Sequence, residues 1–130
     1  MNTGSPHYVL FVNDLENYNV FEKGRKLRYD TSISEQGTNV DFVEIINENE
    51  IAVRTYERGV ENETLACGTG AIASAISAHL KNKSDNFSFT IRARGGTLKV
   101  DFKRDTETRF TDIWLTGPAK YVFKGTVEIE

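Results

Sequence analysis

Residues 64–76 read TLACGTGAIASAI and place the only cysteine of the chain, Cys67, in a glycine-rich turn ahead of an alanine-rich run. A helix that starts in such a turn leaves backbone N–H groups unpaired at its first residues. Those groups, with the positive end of the helix dipole, attract anions and favour the thiolate form of a nearby cysteine. The segment therefore predicts a reactive thiol of lowered pKa beside an anion site at a helix N-terminus.

A purely structural interpretation of this segment competes with the functional one. A lone cysteine usually behaves as a small buried hydrophobe. A Gly-x-Gly sequence before a helix is often only a turn. These residues by themselves leave both interpretations open.

The pattern of apolar residues predicts an α+β fold. Residues 71–80 are small or apolar around the whole helix circumference except at His79, which is typical of a helix buried on most sides. A short amphipathic helix is predicted over residues 19–29, and the polar run at residues 81–86 ends the central helix. Strands are predicted at residues 8–12, 38–46, 51–56, 87–93, 97–103, 111–116 and 119–129. We expect them to form a curved antiparallel β-sheet or barrel wrapped around one central buried helix.

Length and composition narrow the classes of function. The 130 residues fit a single domain, and the net charge of −3 argues against a nucleic-acid partner. One cysteine excludes an internal disulfide, which fits a reducing compartment. The sequence shows no signal-peptide pattern and no apolar run of membrane-spanning length. These features predict a cytoplasmic protein with no membrane partner.

Two further places carry candidate functional side chains. Glu57 and Arg58 follow the strand at residues 51–56. An adjacent acid and base suit an amino acid, whose ammonium needs a carboxylate and whose carboxylate needs a cation or amides. An ordinary surface ion pair is the alternative. His7 lies where a turn meets the first strand, and a capping or core histidine is the alternative to a functional one.

Five blocks of sequence occur in an order that resembles one enzyme family. They are GSPH at residues 4–7, TNV at 38–40, ERG at 57–59, ETLACGTG at 63–70 and TGPA at 116–119. Together they are similar to the C-terminal half of the diaminopimelate epimerases, over essentially the whole chain. Proline racemases and phenazine-biosynthesis isomerases share that fold and are the alternative families, but the ERG block favours the epimerases.

The resemblance implies an isomerase that interconverts LL- and meso-diaminopimelate for lysine and peptidoglycan biosynthesis, without pyridoxal phosphate, another cofactor or a metal. Two cysteines would face opposite sides of the substrate α-carbon, one removing a proton as thiolate and the other returning one as thiol. The second cysteine would lie in an N-terminal domain that this sequence lacks, so we expect the chain to be inactive alone. Surface uncovered by that domain predicts self-association, with a homodimer as the simplest form.

The resemblance also assigns roles to individual residues. Cys67 would be one of the two thiols, with His7 and Glu57 supporting proton transfer. The substrate would be held by the side chains of Ser5, Asn39, Glu57 and Arg58 and by the backbone amides of Gly68 and Thr69, which would bind its α-carboxylate.

This sequence departs from the family pattern at two places within the matched region. The family usually has Asn at the position of Ser5, so one substrate hydrogen bond is expected to differ. The loop containing Glu61 and Asn62 is one residue longer than usual, so it is expected to lie differently before Cys67. A stand-alone module that binds a small amino acid, and a structural unit with an idle cysteine, are the alternatives to half an enzyme.

Overall fold

The computed structural model describes residues 1–83 and 85–130 and has one sheet with two α-helices among them. The helices are α1 (Val20–Arg28) and α2 (Gly68–Asn82), with a single 3-10 turn at Leu15–Asn17. The strands are β1 (His7–Phe11), β2 (Asn39–Asn47), β3 (Glu50–Glu57), β4 (Asn62–Thr64), β5 (Ser88–Ala93), β6 (Gly96–Arg104) and β7 (Phe110–Thr116).

The sheet is mixed, with the strand order β1-β2-β3-β5-β6-β7 and with β4 paired to β3. The pairs β1–β2 and β3–β5 are parallel, and the other pairings are antiparallel. The α+β class with a curved sheet around a central helix is confirmed, whereas the expectation of a wholly antiparallel sheet is not met. The reason is the connections: α1 lies between β1 and β2, and α2 lies between β4 and β5. A helical crossover of this kind can return the chain to the same end of the sheet, which yields parallel pairs.

Helix α2 is the centre of the larger hydrophobic core, as predicted. Its small side chains allow the sheet to approach closely. The buried residues of this core are Ala71, Ala75, Ile76 and Ala78 from α2, and Val43, Ile51, Val53, Phe89, Ile91, Val100 and Phe102 from the sheet. The helix ends at Asn82, within the polar run predicted to end it, and Ser84 of that run lies outside the described residues.

A smaller core lies under α1. Val20 of α1 packs with Leu15, Val40, Phe42 and Tyr56. A Cβ atom added at Gly24 would collide with the Tyr56 side chain, so glycine allows α1 to lie directly against β3 although it weakens the isolated helix. The predicted helix over residues 19–29 is confirmed.

The predicted strand at residues 119–129 is wrong. The described structure gives this segment no regular secondary structure, and its alternating apolar side chains are exposed, from 78% at Tyr121 to 91% at Ile129. Alternation stabilises a strand only where a sheet edge pairs with it and a core covers one face. Neither is supplied to this segment by the described residues.

No helix in the described part of the chain combines the length and the apolar character that crossing a membrane requires.

Candidate functional site

Cys67 precedes the first residue of α2, in an extended conformation with φ −128° and ψ 114°. Its carbonyl accepts the first helical hydrogen bond, from Ala71 N–H at 2.9 Å. Within residues 1–83 and 85–130, the N–H groups of Gly68 and Thr69 have no protein acceptor. The half-buried thiol and two available amides therefore lie together at the positive end of the helix, as the sequence predicts.

The thiol itself is less acidic than the sequence predicts. Burial raises the pKa of the Cys67 thiol above its ordinary value, and the negative charges of Asp41 and Glu57 act in the same direction. Hydrogen bonds from the Thr69 hydroxyl and the Gly70 N–H lower the pKa but do not offset the burial. The expectation of a lowered pKa is wrong because it counted the donors at the helix start and not the desolvation.

A buried histidine–carboxylate pair lies behind the thiol. His7 Nδ1 is 2.6 Å from Asp41 Oδ2, and both side chains are fully inaccessible to solvent. The parallel register of β1 and β2 places His7 opposite Asn39, two residues before Asp41. The second carboxylate oxygen, Asp41 Oδ1, accepts a hydrogen bond from Thr55 Oγ1 at 2.7 Å. The core histidine considered as an alternative is therefore buried but directly connected to the site.

Hydroxyl groups connect His7 to the thiol. His7 Nε2 is 2.9 Å from Thr69 Oγ1 and 3.1 Å from Ser5 Oγ, and the two hydroxyl oxygens are 3.2 Å apart. Thr69 Oγ1 is also 3.6 Å from Cys67 Sγ. A continuous hydrogen-bonded path thus runs from the sulfur to the buried carboxylate of Asp41.

Asn39 ties three segments together at this site. Its side-chain amide donates to Ser5 Oγ at 3.2 Å and to the Pro6 carbonyl at 3.1 Å, and its Oδ1 accepts from the Arg58 N–H at 2.8 Å. Asn39 is buried, with 5% of its surface exposed. In this structure its side chain holds the end of β3 against the turn before β1, and its role as a substrate ligand stays a prediction.

Glu57 and Arg58 lie at the end of β3, half-buried. The Arg58 guanidinium donates to the carbonyls of Gln36 at 3.3 Å and Gly37 at 3.1 Å. Among the described residues, Glu57 and Arg58 do not form a salt bridge with each other. The two charged groups are therefore not paired with each other, and their binding of a zwitterion stays a prediction.

The longer loop forms a defined turn. Glu61 has a positive φ of 59°, and its N–H donates to the Glu57 carbonyl at 2.8 Å. Its carboxylate accepts from the Gly59 N–H at 2.8 Å and lies 3.0 Å from Arg28 of α1. The loop is thus a turn attached to α1, and the chain continues into β4 before it reaches Cys67. That it is one residue longer than usual in the family stays a prediction.

Asp41 and Thr55 also belong to the site, although no sequence pattern identified them. Asp41 stands two positions after Asn39 in the buried first half of β2, so both side chains lie on one face of the strand. Burying a carboxylate without a partner costs free energy. The position of Asp41 between Val40 and Phe42 therefore indicated that a partner was needed. This signal does not identify the partner, because the partner depends on the parallel pairing of β1 with β2.

Comparison with known proteins supports one family. The family model described as diaminopimelate epimerase matches residues 1–122. The diaminopimelate epimerase of Flavobacterium psychrophilum is 44% identical over 127 residues, covering 98% of this chain and 49% of that protein. The diaminopimelate epimerase of Aquifex aeolicus is 44% identical over 131 residues, covering 100% of this chain and 46% of that protein. The chain spans about half the length of these relatives.

Solved structures support the fold. A phenazine biosynthesis protein of the PhzF family from Enterococcus faecalis superposes with a TM-score of 0.57 at 17% identity, over 79% of this chain and 35% of that one. A PhzF-family protein from Bacillus anthracis gives a TM-score of 0.54 at 18% identity, over 84% of this chain and 34% of that one. The sequence matches extend over nearly the whole chain and include the segment around Cys67, and the chain belongs to the diaminopimelate epimerase family.

Proposed function

We propose that this chain forms the C-terminal half of a diaminopimelate epimerase and supplies one of the two acid/base groups of a site that works without pyridoxal phosphate or metal. The family and the half-length match support the proposal. The observation that carries it is the half-buried Cys67 thiol next to the N–H groups of Gly68 and Thr69 at the start of α2.

The helix start would make the substrate α-carbon acidic enough to lose its proton. The α-carboxylate would accept hydrogen bonds from the Gly68 and Thr69 N–H groups, within the positive field of the helix dipole. Donors that neutralise a carboxylate stabilise the negative charge that develops on the adjacent carbon. Cys67, one residue before these amides, would then face that carbon from one side.

Cys67 would act first as the proton donor. Since burial raises its pKa, the thiol form predominates at neutral pH in this chain. A two-base reaction needs one thiol and one thiolate at the same time, so the partner cysteine would begin as the thiolate. The roles would exchange in the reverse direction.

The remaining polar groups would bind the rest of the substrate. Glu57 would accept hydrogen bonds from an ammonium group, and Arg58 would bind a carboxylate. Ser5 and Asn39, which already bond to each other, would contact the substrate. Ser5 is one atom shorter in reach than the Asn usual in the family, so its contact would be weaker.

The proposal predicts that the chain alone does not invert diaminopimelate, because one thiol serves one face of the carbon. The test mixes this chain with the separately expressed N-terminal half of the Flavobacterium psychrophilum relative, in D₂O. Deuterium incorporation and separation of the stereoisomers are measured. We expect inversion in the mixture, none from either half alone, and none when Cys67→Ser replaces the wild-type chain.

Robust inversion by this chain alone would contradict the proposal, unless a homodimer supplies Cys67 twice. A titration of wild-type chain with Cys67→Ser chain tests that exception. A dimer with two thiols in one site loses activity as the square of the wild-type fraction, whereas independent chains lose it in proportion.

Binding of a small amino acid without turnover is a second candidate function. It is favoured because the N–H groups of Gly68 and Thr69, the proposed ligands of the carboxylate, both belong to this chain. Calorimetry with meso-diaminopimelate separates it from a purely structural unit. Measurable binding that Arg58→Ala weakens supports the binding module. Absence of binding by the isolated chain excludes that module and leaves the half enzyme and the structural unit, which the mixing experiment separates.

A further inference from the structure

We propose that Asp41 is a positioning residue for a proton relay in which the Cys67 thiol passes its proton through the Thr69 hydroxyl to His7. The inference rests on the proposed function, because it explains how a half-buried thiol becomes the thiolate that removes a proton. It adds Asp41 and the Thr69 hydroxyl to the residues that the family resemblance assigns to proton transfer.

The carboxylate of Asp41 fixes which ring nitrogen of His7 carries hydrogen. An ionised carboxylate only accepts hydrogen bonds, so at 2.6 Å the Nδ1 atom must be the donor. In the neutral ring, Nε2 then presents its lone pair to the Thr69 hydroxyl at 2.9 Å, with Ser5 Oγ 3.1 Å away. His7 is therefore held as a proton acceptor on the side that faces the thiol.

The neighbouring amide orients the hydroxyl groups. Asn39 donates to Ser5 Oγ, so the Ser5 hydroxyl hydrogen is free to point to Thr69 Oγ1 at 3.2 Å. In the thiol form, Thr69 Oγ1 in turn donates to His7 Nε2 and accepts from Cys67 Sγ–H at 3.6 Å. In the thiolate form, the Thr69 hydroxyl donates to the sulfur instead.

The proton transfer balances within these groups. The Cys67 S–H bond breaks as its proton bonds to Thr69 Oγ1, while the Thr69 hydroxyl proton moves to His7 Nε2. The products are a thiolate and an imidazolium, and Thr69 is a neutral hydroxyl again. The imidazolium lies against the Asp41 carboxylate, which is an oriented counter-ion, and both side chains are inaccessible to solvent.

The fold is arranged to keep Asp41 in place. Thr55 on β3 donates to its second oxygen, and a Cβ atom at Gly70 would collide with that same oxygen. The charged groups that act on the thiol are Asp41 from β2 and Glu57 from β3, and the first turn of α2 carries no acidic residue. A buried carboxylate of this kind needs a cationic or hydrogen-bonding partner, and His7 provides it.

A competing account gives Asp41 no role through His7. If Asp41 acted on the thiol only as a nearby negative charge, removing that charge would make the thiolate easier to form. In the relay, removing it destabilises the imidazolium and makes the thiolate harder to form. The two accounts predict opposite signs for Asp41→Asn.

The test measures iodoacetamide alkylation of this chain as a function of pH, without substrate. Because Cys67 is the only cysteine, the rate reports one thiol. We expect Asp41→Asn to slow alkylation at pH 7 about tenfold, which corresponds to about one unit in the thiol pKa. Thr69→Val is expected to slow it similarly, while Thr69→Ser restores the wild-type rate. Ser74→Ala, which alters a buried hydroxyl of α2 outside the relay, is the matched control.

The tautomer of His7 is measured on the same samples by ¹⁵N NMR, with His79 as the internal reference for intact folding. We expect the Nδ1–H form of His7 in the wild-type chain and a changed His7 pattern in Asp41→Asn, with His79 unchanged. Faster alkylation in Asp41→Asn, equal rates in Thr69→Val and Thr69→Ser, or an Nε2–H form of wild-type His7 would each overturn the relay. Should Asp41→Asn not fold, the Thr69 pair decides. None of these readouts uses epimerisation, so the relay and the proposed function fail independently.

Discussion

A buried histidine lies at each end of α2, and the surroundings of the two rings differ: His7 comes from β1, and His79 belongs to the helix. At the N-terminal end, His7 contacts the Asp41 carboxylate and two hydroxyls that lead to the thiol. At the C-terminal end, His79 donates to the Asn86 carbonyl at 2.9 Å and lies among the rings of Phe87, Phe102 and Phe110. Burial of a histidine therefore does not indicate a site by itself. The polar atoms that face its second ring nitrogen decide what it can do.

The largest expected effect comes from replacing each histidine with asparagine, which keeps a donor near the Nδ1 position. The two variants test whether His7 and His79 have different roles. We expect His7→Asn to lower inversion in the reconstituted mixture by about 10²-fold or more, because Nε2 is lost as a proton acceptor. His79→Asn is expected to lower the melting temperature through lost ring packing but to leave the rate within about twofold. Equal losses of activity in the two variants would contradict the distinction between the ends.

The next largest effect is expected from Gly70→Ala at the N-terminal end. Alanine favours an exposed helix by about 1 kcal/mol over glycine. Here the added methyl group collides with the Asp41 carboxylate, so we expect a net loss of about 1–3 kcal/mol in the free energy of unfolding, measured by urea denaturation. Ser77→Ala, on the half-buried side of α2, is the control and is expected to change stability by less than about 0.5 kcal/mol. A neutral Gly70→Ala would show that the helix start is not fitted to Asp41.

Ser74, between the two ends, tests packing without polar contacts. Its hydroxyl is buried and has no hydrogen-bond partner within the described residues. We expect Ser74→Ala to raise the free energy of unfolding by about 1 kcal/mol, since it removes an unsatisfied polar group and adds no bulk. Denaturation on the same samples measures this, and a loss of stability would show that the hydroxyl has a role the structure does not reveal.

The smallest effect concerns Glu63, which precedes the N-terminal end. Hydrogen bonds from Arg54 at 2.6 Å and Arg94 at 2.9 Å hold the pKa of Glu63 below its ordinary value. A depressed folded pKa stabilises the protein above the unfolded pKa of about 4.3, and that stabilisation is lost as the pH falls through the lower folded pKa. We therefore expect the melting temperature of Glu63→Gln to lie below that of the wild type near pH 6. The gap should close as the pH falls through the folded pKa of Glu63. A gap that widens on acidification would contradict this sign.

Local patterns in the sequence predict the helices and hairpins well. The all-round small residues of α2 and the alternation in β5 and β6 depend only on neighbours along the chain. The parallel pairs were not predicted, because they depend on where each helical crossover returns the chain. The strand at residues 119–129 was wrong, because alternation says that one face can be buried but not that a partner covers it.

Only part of the candidate site could be predicted from the sequence, because some of its contacts also depend on how distant strands pair. Sequence blocks identified Ser5, His7, Asn39, Cys67 and Thr69, and the structure brings these side chains into one hydrogen-bonded group. Asp41 was missed because its contact with His7 depends on the register of two strands 34 residues apart in sequence. The direction of the thiol pKa was missed because desolvation depends on how the folded chain covers Cys67.

We propose that the N-terminal end of α2 faces the substrate and that the C-terminal end does not. The most direct measurement is a ¹H–¹⁵N NMR titration of ¹⁵N-labelled chain with meso-diaminopimelate. We expect the amide chemical shifts of Gly68 and Thr69 to change with ligand concentration, while those of His79 and Leu80 do not change. Shifts confined to the C-terminal end, or binding that leaves the Gly68 and Thr69 amides unmoved, would contradict it.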